Sequence, residues 1–380
     1  MISEISKSIP PFYVMEILEK AKQIEASGEK VIHLEIGEPD HNTDTEICEE
    51  AIESIKAGET KYTHSQGLIE LRNEIANHYR IKYGVSVSPD NIIVTSGSSP
   101  ALYLAFLTML NAGDEIIITN PHYACYPQII RVAGGMPNYV GIKEEDDFQM
   151  DVFKLKEHIT PNTKALLVNS PCNPTGMMLR PEVLKDISEL GIFVISDEIY
   201  HGLVYGEKEH SILEYTDRAI VINGFSKLYS MTGWRLGYII APDEFIRPIQ
   251  KLQQNLFISA SSFVQKAAIR ALKLNKEKIS KIVKLYKNRR KVMFNGLRQT
   301  GFDLRKMPDG AFYYFVNVSE FKKNSLDLAF DILEKVHVAV TPGIDFGSGG
   351  EGYLRFSYAN SEDNILEGLK RLKYYINNFI

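Results

Sequence analysis

Between residues 92 and 240, short apolar runs recur along the chain, separated by longer stretches whose apolar positions follow helical spacing. The runs at 92–95, 116–119, 165–169, 192–196, 220–223 and 237–240 are rich in Val and Ile with few polar interruptions. That is the pattern of strands covered on both faces. Their alternation with helical segments predicts βαβ units, hence an α/β fold with a doubly wound, mostly parallel sheet. Past residue 274 the pattern changes. A basic amphipathic helix is expected at 276–298, then a strand at 311–318, a helix at 326–335, a strand at 353–358 and a helical end at 364–380. A helix at 13–26 and a strand at 31–36 precede the main pattern and are too short to hold a core alone. The expected division is a large unit, residues 46–274, and a smaller α+β unit from residues 1–45 and 275–380.

Each strong run leads directly into polar or conformationally special residues, and ligands of doubly wound sheets bind beyond the carboxyl ends of the strands. After 92–95 comes Thr95-Ser96-Gly97-Ser98-Ser99-Pro100. There Pro100 suits the first helical position, and Ser98 and Ser99 sit where free N–H groups favour an anion. A capped helix start explains the segment equally well. Asn120-Pro121-His122-Tyr123 follows the next run, and Tyr123 is either an aromatic for stacking or ordinary packing. Asn169 to Gly176 is Pro-rich and contains Asn173, with an ordinary turn as the plain alternative. Asp197-Glu198-Ile199-Tyr200 puts a carboxylate at the end of a buried strand, where it needs a partner; an ordinary ion pair with a neighbouring Lys or Arg is the plain alternative.

The most specific segment is Gly224-Phe225-Ser226-Lys227-Leu228-Tyr229-Ser230-Met231-Thr232-Gly233-Trp234-Arg235-Leu236-Gly237. A lysine is usually a solvated charge. Lys227 lies between two apolar runs instead, where desolvation would lower its pKa and make it a nucleophile. Arg235 adds a fork suited to phosphate or carboxylate.

This loop resembles the lysine signature of the class I/II aminotransferases, fold type I pyridoxal-phosphate-dependent enzymes. The resemblance extends along the chain through Gly37-Glu38-Pro39-Asp40, Lys61-Tyr62-Thr63, Asn173-Pro174-Thr175-Gly176, Asp197-Glu198-Ile199-Tyr200, Pro342-Gly343 and Arg355-Phe356-Ser357. It implies transfer of an amino group between an L-amino acid and a 2-oxo acid through a Lys227 aldimine of pyridoxal 5'-phosphate. It further implies that Asp197 pairs with the pyridine nitrogen, that Asn173 and Tyr200 bond the ring oxygen, and that Tyr123 stacks on the ring. Ser98, Ser99, Ser226 and Arg235 would hold the phosphate, with Tyr62 from a second subunit of a homodimer. Arg355, assisted by Asn173 and Gly37, would clamp the substrate carboxylate. One departure bears on substrate: where some bacterial aspartate-type relatives place a lysine for an acidic side chain, this chain has Ser99. A β-eliminating C–S lyase on the same scaffold is the competing reading.

Composition narrows the classes further. A net charge of -5 gives no reason to expect nucleic acid or an anionic membrane surface as partner. No apolar stretch nears the ~20 residues that span a bilayer, and the N-terminal residues lack a signal-peptide pattern. The three cysteines form no CxxC pair, so neither a metal site nor a disulfide framework is expected. Together these suggest a cytoplasmic location. No GxGxxG, Walker or HExxH motif competes, and the residues before Gly37 are too few for a DNA-binding domain.

Overall fold

All six apolar runs become strands. The computed structural model describes residues 1–380, with the strands in chain order β1 (Ile32–His33), β2 (Ile92–Thr95), β3 (Glu115–Asn120), β4 (Met136–Gly141), β5 (Thr163–Asn169), β6 (Phe193–Asp197), β7 (Ala219–Gly224), β8 (Gly237–Ile240), β9 (Tyr313–Asn317), β10 (Val338–Ala339), β11 (Thr341–Pro342) and β12 (Tyr353–Ser357). β2 to β8 form one sheet in the order β2-β8-β7-β6-β5-β3-β4. β3 to β7 run parallel and β8 alone runs against its neighbours. Within this sheet the unexpected strand is β4, Met-Pro-Asn-Tyr-Val-Gly, which is largely exposed; the two-residue β10 and β11 are unexpected as well. As an edge strand β4 pairs on one side only, so it tolerates proline and needs no continuous apolar run.

The central strands are apolar throughout because both faces are covered. Ile195, Ile220 and Ile222 point into a core with Leu104, Phe106 and Ile130 on one side of the sheet. Their neighbours Val194 and Val221 point into a larger core on the other, which also holds Val316, Leu354 and Phe356 of β9 and β12. β12 lies between β11 and β9 in an antiparallel sheet. β1 pairs in parallel with β10, tying the N-terminal segment to the C-terminal part of the chain. This pairing supports the unit boundaries we propose, with residues 1–45 and 275–380 forming the small unit and 46–274 the large one.

Local chemistry fixes the helix ends. The Asn275 side chain accepts from Glu277 N at 2.9 Å and starts the helix Lys276–Thr300. That helix packs against Glu362–Phe379, and a Cβ at Gly296 would lie 2.2 Å from Leu369 Cδ1, so any larger residue there must displace the Leu369 side chain. The helix after β2 corrects one expectation. It spans Ser98–Met109 with Gly97 at its N-cap, so Pro100 occupies the third helical position rather than the first. Amides of the first turn have no intrahelical acceptor, so proline costs nothing there either.

Candidate active site

Because β3, β5, β6 and β7 are parallel, their carboxyl ends share one edge of the sheet, joined by the start of β8 opposite the end of β2. A cleft of about 380 Å³ opens at this edge. Of the residues singled out in the sequence, Gly37, Ser98, Ser99, Tyr123 and Asn173 line it, as do Asp197, Tyr200, Ser226, Lys227, Arg235 and Arg355. Tyr62 does not. It is 81% exposed on the outer surface.

Lys227 lies in the loop joining β7 to β8, and its Nζ donates to the Gly37 carbonyl at 2.8 Å. Burial pushes its amine down to about 8, helped by the positive charges of Arg355 and Arg235 and opposed by Glu38 and Asp197. The ammonium sheds its proton more readily there because little water solvates it.

Asp197 is the last residue of β6, opposite Asn169 of β5. It is buried, and burial pushes its carboxyl up to about 6. Tyr126 Oη donates to Oδ2 at 2.7 Å and Ile199 N donates to Oδ1 at 3.2 Å, both opposing that rise. The partner required by a buried strand-end carboxylate is therefore a phenol and an amide rather than a cation. Asn169 bridges the neighbouring loop: its Nδ2 donates to Asp197 O and its Oδ1 accepts from Asn173 N, both at 2.9 Å.

Arg355 projects from β12 and is almost fully buried. Its guanidinium donates to Asn173 Oδ1 at 2.8 Å, Glu35 O at 2.5 Å and Thr341 Oγ1 at 3.1 Å. The rings of Tyr313 and Phe346 flank it at 4.3 and 5.0 Å. Its Nε is buried with no acceptor. Tyr200 Oη shares a hydrogen bond of 2.9 Å with Tyr313 Oη.

At the opposite end of the cleft, Gly97 takes φ +107°, and a Cβ there would lie 2.7 Å from the Arg235 guanidinium. The glycine thus lets the arginine close over the free amides of Ser98 and Ser99, a concave anion-binding surface. Arg235 is anchored by donating to Thr232 O at 2.9 Å.

Several lining residues escaped the sequence reading. Tyr126 and Tyr313 read as core aromatics, and nothing local distinguishes them. Val14, Met15 and Leu18 from the helix Tyr13–Ala26, with Ile36, join Phe12 at that helix's N-cap in an apolar wall; helical spacing there indicates a packed face without showing what it packs against.

The sequence model "Aminotransferase class I and II" matches residues 29–372. The (5-formylfuran-3-yl)methyl phosphate transaminase of Methanocaldococcus jannaschii is 44% identical, covering 99% of this chain and 100% of its own. A probable aspartate aminotransferase of the same organism is 38% identical over 98% of this chain and 99% of its own. Among solved structures, Thermus thermophilus aspartate aminotransferase with maleate superposes with a TM-score of 0.93 at 34% identity, covering 98% of this chain and 99% of its own. A Methanococcus jannaschii protein, described as similar in its active site to kynurenine aminotransferases, gives 0.92 at 43% identity, covering 99% and 100%. Strand ends, buried lysine and likeness along nearly the whole chain agree: the chain belongs to the class I and II aminotransferases, pyridoxal-phosphate enzymes that move an amino group between an amino acid and a 2-oxo acid.

Proposed function

We propose that Lys227 is the amine that carries the cofactor and moves the substrate proton, and that Arg355 grips the substrate α-carboxylate. One observation carries this reading. Lys227 and Arg355 are both tied to the same short stretch of backbone, at the carbonyls of Gly37 and Glu35. The amine and the guanidinium therefore stand side by side at one cleft. The unpartnered Arg355 Nε supports the role, because a buried donor without an acceptor is what an incoming carboxylate satisfies.

The remaining residues fit pyridoxal 5'-phosphate. The cradle of Ser98 and Ser99 amides under Arg235, with Ser226 beside it, would hold the phosphate. Asp197 would hold the proton on the ring nitrogen, Asn173 and Tyr200 would hydrogen-bond the ring oxygen, and Tyr123 would cover a ring face. When bound, the cofactor supplies an aldehyde and an electron-withdrawing ring that stabilises charge at the substrate Cα. Lys227 Nζ, with its pKa lowered toward neutrality, takes the Cα proton as general base and returns it as acid.

The cations lining the cleft are Lys227, Arg235 and Arg355, and each has a task above. None is left for a second carboxylate, and Glu38 adds negative charge at the opening. We therefore infer a donor amino acid with an uncharged side chain facing the apolar wall. We infer a homodimer from the exposed Tyr62, which would complete the phosphate site of a partner subunit. Three free thiols fit the reducing cytoplasm.

The test is spectroscopic. Adding neutral and acidic amino acids in turn to the cofactor-loaded enzyme is expected to bleach its visible absorbance with neutral donors first, and a 2-oxo acid is expected to restore it. Lys227→Ala is expected to lose both responses. Ammonia and pyruvate formed without an oxo-acid acceptor would point to elimination, and an unaltered spectrum in Lys227→Ala would sink the assignment of the amine.

A further inference from the structure

We infer that Asp345 positions the apolar wall of the donor subsite and so governs which amino acid side chains the enzyme accepts. The inference rests on the reading of Arg355 and the cleft given above.

The helix Tyr13–Ala26 starts without a local cap: Phe12 stands at its N-cap and makes no side-chain hydrogen bond there. The cap comes from the far end of the chain. Asp345 Oδ1 accepts from Tyr13 N at 3.0 Å and Oδ2 accepts from Val14 N at 3.1 Å. A carboxylate here satisfies amides that have no helical acceptor and sits against the positive end of the helix dipole. The residue is buried, and burial pushes its carboxyl up to about 6, while the two amides it accepts from and the nearby Arg355 charge favour its ionised form.

What Asp345 touches on either side gives the cap a purpose. The first turns of the helix it holds carry Val14, Met15 and Leu18, which with Phe12 line the cleft. Asp345 itself belongs to the turn Gly343–Phe346 that follows β11. Phe346 of that turn flanks the Arg355 guanidinium at 5.0 Å, and Thr341 of β11 accepts from it at 3.1 Å. One turn therefore braces the carboxylate grip and fixes the wall against which the side chain rests. The distance between those two places decides how large a side chain fits.

The experiment measures dissociation constants of unreactive α-methyl amino acids by the visible absorbance of the cofactor-loaded enzyme. The series runs from 2-aminoisobutyrate through α-methylleucine to α-methylphenylalanine, against wild type, Asp345→Ala, Asp345→Asn and Arg355→Leu. Loss of one cap corresponds to about tenfold. Asp345→Ala is expected to change the affinity of the larger neutral ligands by that factor and that of 2-aminoisobutyrate by less than about twofold. Asp345→Asn, which keeps one acceptor oxygen, should fall between. Arg355→Leu should weaken the whole series alike, by about a hundredfold. If Asp345→Ala shifts every ligand equally, or only lowers the unfolding temperature, the positioning role is overturned. If Arg355→Leu binds the series as wild type does, the reading of the cleft is what fails.

Discussion

Under the role proposed for it, Asp197 is costly to the empty protein and useful to the loaded one. Its carboxyl is buried and raised to about 6 from an ordinary 3.8, with Tyr126 and Ile199 N holding it lower than burial alone would. In the cofactor-free chain the folded state thus binds a proton that the unfolded state has released. The resulting stability is present at low pH and is lost as pH rises from about 4 through about 6. Tyr126→Phe removes a donor from the ionised form, moves Asp197 higher still and deepens that loss. Denaturation of the cofactor-free proteins should show the variant falling behind wild type as pH is raised from about 5 to about 8, by about 1–3 kcal/mol at the upper end. A gap that stays constant with pH would make the hydroxyl a packing feature only. The sequence shows that Asp197 needs a partner, because it interrupts the end of an apolar strand. It does not show that the partner is Tyr126, since a tyrosine at helical spacing from Tyr123 reads as core until its hydroxyl is found at the end of β6.

Among the elements, strands buried on both faces were legible because burial forces continuous apolarity, as in β6 and β7. β4 was not, since one free edge relaxes that demand. The same distinction governs the helices. The sequence marks the long helix Lys276–Thr300 by its periodicity, but the importance of Gly296 appears only where the helix crosses Glu362–Phe379. Glycine within a helix costs up to about 1 kcal/mol relative to alanine, and the structure retains it because Leu369 occupies the space of its side chain. Gly296→Leu should regain that propensity yet lose more to overpacking, a net destabilisation of about 1–3 kcal/mol seen in the denaturant midpoint. Activity below the unfolding transition should be unchanged, because the crossing lines no part of the cleft. A variant as stable as wild type would show that Leu369 repacks freely.

For the whole molecule, the telling residue is Tyr62, which stands outside its own cleft. Its exposure is not looseness. The segment around it is anchored through Ser262 Oγ to Glu59 O at 2.5 Å, Gln265 Nε2 to Thr63 Oγ1 at 3.0 Å, and Gln253 to the Ser65 carbonyl. Leu256 and Ile258, which follow Gln253, are about half exposed as well. An outward aromatic on a hydrogen-bonded segment, with further exposed apolar residues on the segment that anchors it, has the character of an interface. If it completes the site of a partner subunit, Tyr62→Ala and Lys227→Ala damage complementary halves of each shared site. A two-fold dimer pairing the two variants then contains one site with both defects and one site with neither. Random reassociation of equal amounts makes half of the dimers mixed, so the mixture should recover about a quarter of wild-type activity even though each variant alone is impaired. Activity no greater than the average of the two separate variants would place Tyr62 in its own subunit's chemistry or in none. Recovery in proportion to the mixed dimer, measured across a range of mixing ratios, would require that the catalytic unit be built from two chains.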